Sequence, residues 1–102
     1  MKSQSAREAY YKIIAFIKEN GGAYSQWYCG SASDWETRLF KDHQIPHKYY
    51  KWWVVSDICD SYGAAKEAED GLHELGCDGR PGGSDEATRY VYAYFKGSVT
   101  DP

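Results

Sequence analysis

No stretch of this chain approaches the roughly 20 consecutive apolar residues needed to cross a bilayer. Its longest apolar runs are only a few residues. The first twenty positions are charged and amphipathic and lack the layout of a secretory leader. Cysteine is scarce: Cys29, Cys59 and Cys77 are an odd number, far apart, with no C-x-x-C pair. That pattern argues against a disulfide framework and against a thiolate zinc site, and it fits a cytoplasmic chain with reduced thiols. A surplus of positive charge is also lacking. The net charge is −3, with eight Lys/Arg against five Asp/Glu over residues 1–56 and four against ten over 57–102. A broad nucleic-acid footprint is thereby excluded, leaving room only for a local basic patch. Internal repeats and low-complexity stretches are missing too.

What the chain does have is aromatic bulk. Its 102 residues, read as one domain over 1–102, are 42% hydrophobic, 26% charged and 17% aromatic, with ten Tyr and four Trp. Each buried ring removes a large area from water, so the aromatics make up for few aliphatic residues and disfavour disorder.

The elements read as follows. Ser5 and Glu8 have capping-box spacing, and Ala6, Ala9, Tyr10, Ile13, Ile14 and Ile17 recur at three and four residues, so an N-terminal helix falls within 1–22. Asn20-Gly21-Gly22 stops it. A short strand over 23–29 is expected to end at Gly30-Ser31. Ser33 and Glu36 suggest a second capping box and a helix over 34–43, closed off by Ile45-Pro46. The run KYYKWWVVSDI at 48–58 is apolar on both alternating faces and predicts a central strand. A helix over 62–75 has Ala65, Ala68, Leu72 and Leu75 as its stripe. A glycine-rich loop at 76–88 and a last strand at 89–96 follow. The order α-β-α-β-α-β predicts a small α/β or α+β layer fold with a three-stranded sheet flanked by helices.

Residues 27–43, WYCGSASDWETRLFKDH, resemble the second half of the GIY-YIG endonuclease signature. There a strand ending in Tyr-x-Gly turns into a helix that carries an Arg ten residues after the Tyr. Tyr28, Gly30, Arg38 and Leu39 fall at those places, with the turn Ser31-Ala32-Ser33-Asp34 between them. A weaker match is Ala65 with Glu69 at the spacing of the family's metal-binding Glu. The likeness covers about residues 24–75. It departs at the first family strand: Gly22-Ala23-Tyr24 lies only four residues before Tyr28, too close for a hairpin. A permuted arrangement follows as an expectation, in which the 90–94 strand pairs with 24–29 and Tyr92, or else Tyr90, replaces the missing tyrosine.

The resemblance implies metal-dependent phosphodiester hydrolysis. Tyr28 and Tyr92 would help activate water, Arg38 would clamp a phosphate oxygen, His43 would serve as general base, and Glu69 would hold Mg²⁺. Lys41, Lys48 and Lys51 would form a basic patch near Arg38 for DNA or another nucleic acid, with Arg80 in the glycine-rich loop as a further anion contact. His43 and His47 with Pro46 between them make a poor zinc pair. Each residue also has a structural reading. Tyr28 would pack in the core, Arg38 would pair with Glu36 or Asp42, Glu69 would lie on a solvated helix face, and His73 would sit on the helix surface near its C-terminus. On that reading the chain is a non-catalytic protein-interaction module that keeps the fold.

Overall fold

The computed structural model describes residues 5–37, 53–79 and 87–96. Helix α1 spans Ala6–Asn20, a 3-10 turn covers Tyr24–Gln26, and strand β1 follows at Trp27–Ala32. Strand β2 is Trp53–Val55, helix α2 is Tyr62–Glu74, and strand β3 is Tyr90–Phe95. The class is α+β: a three-stranded antiparallel sheet in the order β1-β3-β2, with both helices packed on one face.

Local chemistry explains the helix ends. The Ser5 hydroxyl accepts the N–H of Glu8 while the Glu8 carboxylate accepts the N–H of Ser5, the reciprocal capping box expected from the spacing. Ala9, Ile13, Ile14 and Ile17 are buried along one stripe. At the far end Gly21 adopts φ +88°, and its carbonyl accepts the indole N–H of Trp27 at 3.2 Å, which ties the end of α1 to the start of β1. Helix α2 closes with a Schellman turn. The Gly76 N–H bonds the His73 carbonyl at 3.1 Å and the Cys77 N–H bonds the Leu72 carbonyl at 3.2 Å. Gly76 takes φ +115°, a conformation an L side chain resists.

Strand alternation sorts the core into two layers. Trp27, Cys29, Val54, Val91 and Ala93 face the helices, where they meet Ile13, Ile17, Ala65, Ala68 and Leu72. Tyr28, Ala32, Tyr92 and Tyr94 face the other way and gather Trp35, Trp53 and Val55.

Several expectations need correcting. The strand expected over 23–29 starts later and runs on through Gly30 and Ser31 to Ala32. Gly30 does not break it. It sits opposite Tyr92, and a Cβ there would lie 2.6 Å from the Tyr92 hydroxyl oxygen. The glycine makes space for a ring; it does not supply a turn. Ser31 and Ala32 therefore belong to the strand, and the cap comes one residue later than expected. The Asp34 carboxylate accepts both the N–H and the hydroxyl of Thr37, at 3.2 and 2.7 Å. These bonds hold the Asp34 carboxyl below its usual range. The helix over 34–43 is described only in this first turn.

Among the described residues the run at 48–58 does not supply the central strand. Its described part, β2, pairs on one side with β3, and β3 lies between β1 and β2. Both-face burial is a sound mark of a central strand, but in β3 it is carried by alternating tyrosines. The pairing of 90–94 with the strand at 27–32 is present, with Tyr94 opposite Tyr28 and Tyr92 opposite Gly30. Among the described residues no helix is long and apolar enough to cross a membrane.

Candidate functional site

The outer edge of β1 is where polar side chains collect. An exposed strand edge invites pairing, and here the chain covers it with its own backbone. The Cys29 N–H donates to the Asp78 carbonyl and the Asp78 N–H to the Trp27 carbonyl, both at 2.8 Å. The next acceptor on that edge, the Cys29 carbonyl, is met by His73 Nε2 at 2.9 Å. A carbonyl only accepts, so Nε2 carries the proton. Gly79 packs over this junction. A Cβ on it would fall 2.7 Å from the Cys29 carbonyl oxygen and into the His73 ring.

One turn earlier on α2, Glu69 points at the same edge. It is 3% exposed. One carboxylate oxygen accepts the Ser31 hydroxyl at 2.6 Å and lies 3.8 Å from Lys66 Nζ. The other lies 3.8 Å from His73 Nε2. Lys66 also reaches Asp70 at 3.5 Å. A buried carboxylate is costly unless it is hydrogen-bonded and paired, and Ser31 with Lys66 does both. Below the edge, the Asp78 carboxylate accepts the Gly79 N–H at 2.8 Å and the Lys96 ammonium at 3.0 Å. The Lys96 bond holds the Asp78 carboxyl below its usual range.

This arrangement can fasten α2 to β1, and the divalent cation expected at Glu69 would have to be held there as well. Such an ion wants several oxygen ligands. Glu69 accepts the Ser31 hydroxyl, and its charge already faces the Lys66 ammonium. Among the described residues no group of three or more His, Cys, Asp or Glu is placed to hold a metal.

Of the residues singled out from the sequence, Tyr28, Glu69 and Tyr92 are described, and they do not share one face of the sheet. Tyr28 and Tyr92 share the aromatic face, where the Tyr28 and Tyr94 rings stack at 5.2 Å. Glu69 binds Ser31, whose side chain projects from the opposite face of β1. The sheet thus separates Glu69 from both tyrosines. All three are buried, Tyr28 at 7% and Tyr92 at 3% exposure. Arg38, Lys41, His43, Lys48, Lys51 and Arg80 lie outside the described residues. His73, expected on the helix surface, is half-buried and bonded to the sheet edge.

Sequence reasoning missed Ser31, His73 and Gly79. Lys66, Glu69 and His73 do share a helix face through their three- and four-residue spacings, which was the available signal. Nothing local told which strand edge that face would meet. Set against family models, curated proteins and solved structures, the chain matches none.

Proposed function

We propose that this chain is a non-catalytic protein-interaction module with the sheet-and-helix frame of a small α+β domain and no hydrolytic centre of its own. The observation that carries the reading is the split between Glu69 on one side of the sheet and Tyr28 with Tyr92 on the other, all three buried. Phosphodiester hydrolysis needs its groups to converge on one solvent-accessible point. The contact surface we favour is the groove between α1 and α2, of about 670 Å³, which offers Tyr10, Tyr11 and Tyr62 between Arg7 and Glu74. Tyr11 is 53% exposed and Arg7 stacks over its ring at 5.6 Å. An amphipathic aromatic ring beside charges of both signs suits a polypeptide partner.

A second reading keeps one observation in its favour. The β1–β3 pairing puts Tyr28 and Tyr92 on the same face, as the permuted GIY-YIG arrangement requires. On that reading the chain is a nucleic-acid-binding domain or nuclease related to that family. Titration with Mn²⁺ and Mg²⁺, followed by backbone amide NMR and paired with a DNA cleavage assay, separates the two. We expect no broadening centred on Glu69 and no cleavage. Broadening at Glu69, together with cleavage that Glu69→Gln abolishes, would overturn the interaction-module reading. Capture of one polypeptide by the parent chain and its loss in a folded Tyr11→Asp variant would support it.

A further inference from the structure

Helix α2 delivers a cysteine to the covered edge of β1, and that cysteine meets another. Cys77 follows the Schellman glycine of α2, and its N–H is held by the Leu72 carbonyl. Its neighbour Asp78 exchanges two backbone hydrogen bonds with β1, one of them with the N–H of Cys29 itself. Cys29 and Cys77 lie in the same buried cluster and both are free thiols. The two thiols are near enough for each to shift the acidity of the other. Backbone bonds on both sides therefore hold the two thiols in one buried neighbourhood, although 48 positions separate them in sequence.

We propose that Cys29 and Cys77 form a dithiol oxidised by a peroxide to an intramolecular disulfide, clipping the end of α2 to the outer edge of β1. The two sulfurs differ in a way that sets the order of events. Cys29 is fully buried, whereas Cys77 is 6% exposed and lies between the exposed residues Gly76 and Asp78. Interaction with the Cys29 thiol lowers the Cys77 thiol from its ordinary range, and the same interaction raises Cys29. Cys77 is thus the attacking sulfur and Cys29 the resolving one.

As a thiolate, Cys77 attacks one peroxide oxygen. The O–O bond breaks, hydroxide leaves, and Cys77 becomes a sulfenic acid. The Cys29 sulfur then attacks the Cys77 sulfur. The S–O bond breaks, the S–S bond forms, and the Cys29 proton leaves with the departing hydroxide as water. In sum two thiols lose two electrons and two protons, and one hydrogen peroxide becomes two waters. Cys59 is a built-in control. It is buried elsewhere, its thiol lies 3.8 Å from the Ser56 hydroxyl oxygen, and burial raises it.

The test uses the full chain, reduced, desalted and titrated with hydrogen peroxide under native conditions. Remaining thiols are then alkylated in denaturant and the peptides mapped by mass spectrometry. We expect the intact mass to fall by two hydrogens, a cross-linked peptide pair holding Cys29 and Cys77, alkylation of Cys59 alone, and full reversal by dithiothreitol. In Cys29→Ala, Cys77 should stop at the sulfenic acid and be trapped by dimedone. Three reduced thiols at peroxide levels that fully oxidise free glutathione would overturn the proposal. So would a disulfide that uses Cys59 or joins two chains. The parent chain alone decides between these outcomes, so a variant that fails to fold leaves the test intact.

Discussion

The two faces of the sheet are filled by different means. On the helix side the strands present Trp27, Cys29, Val91 and Ala93 to a layer of Ile, Ala and Leu from two helices. Small residues such as Ala9, Ala65, Ala68 and Ala93 let helix and sheet approach, and Trp27 fills the gap edge-on to Phe16 and Phe95. On the other side the layer is rings on rings: Tyr28 against Tyr94, and Trp35 against Trp53 at 5.8 Å. The helix side also takes in charge, through Glu69, whereas the buried members of the aromatic cluster are Tyr and Ala. One sheet therefore carries a layer held by apolar volume and fixed polar bonds and another held by ring shape. Glu69 and the tyrosines Tyr28 and Tyr92 divide along the same line.

The largest expected effect tests the helix side. Trp27→Ala removes the ring that Phe16 and Phe95 flank and the indole bond to Gly21, and should cost about 3–5 kcal/mol in urea unfolding. A loss below about 1 kcal/mol would mean that the helices do not seat on this residue. The ring side should instead be sensitive to added volume. Gly30→Ala places a Cβ 2.7 Å from Tyr92 Cζ and should cost about 1–3 kcal/mol. Pairing it with Tyr92→Leu should recover part of that loss, and a double-mutant cycle with a coupling under about 0.5 kcal/mol would sink the account.

Next comes the charge on the helix side. Glu69→Ala strands the Ser31 hydroxyl, leaves Lys66 to Asp70 and removes the carboxylate beside His73, while Glu69→Gln keeps an acceptor for Ser31. The alanine should be the less stable by about 1 kcal/mol in thermal melts, and equal stabilities would remove Ser31 from the argument. The smallest effect lies at the strap over the β1 edge. Asp78→Asn should cost well under about 1 kcal/mol, because Lys96 and Asp78 are partly exposed. Lys96 holds the Asp78 carboxyl below its unfolded value of about 3.9, so this stability is present at neutral pH and is lost as pH falls through the native value. Parent and variant should converge at acid pH, and a gap that persists there would assign the effect to something other than the ion pair.

The helices were legible because their signals are local. Ser5 with Glu8, the isoleucine spacing, the alanine stripe of α2, and Gly76 at its end each act within one or two turns. The strands were legible in kind but not in rank. Alternating tyrosines in β3 look half-polar in a sequence, and only sheet order shows both their faces covered. Gly30 shows the limit most sharply. A glycine after Tyr-x reads as a turn, yet its neighbour across the sheet is Tyr92, 62 positions away. The site was less legible still. Glu69 was picked out at the spacing of a metal ligand, but Ser31 and His73 stand beside it through the seating of α2 on β1, which the helix pattern does not contain.

The sequence by itself determined where α1 and α2 begin and end, and that the chain has many rings to bury. Caps, periodicity and side-chain volume are properties of neighbouring residues and survive in any context. Only the tertiary structure decided which strand lies in the middle, which face of the sheet each tyrosine takes, that Glu69 is fastened by Ser31, Lys66 and His73, and that Cys29 and Cys77 share one buried cluster. Those outcomes rest on pairing register and on strand alternation, where a shift of one residue exchanges the faces. They are settled by the sum of many distant contacts and by no local signal.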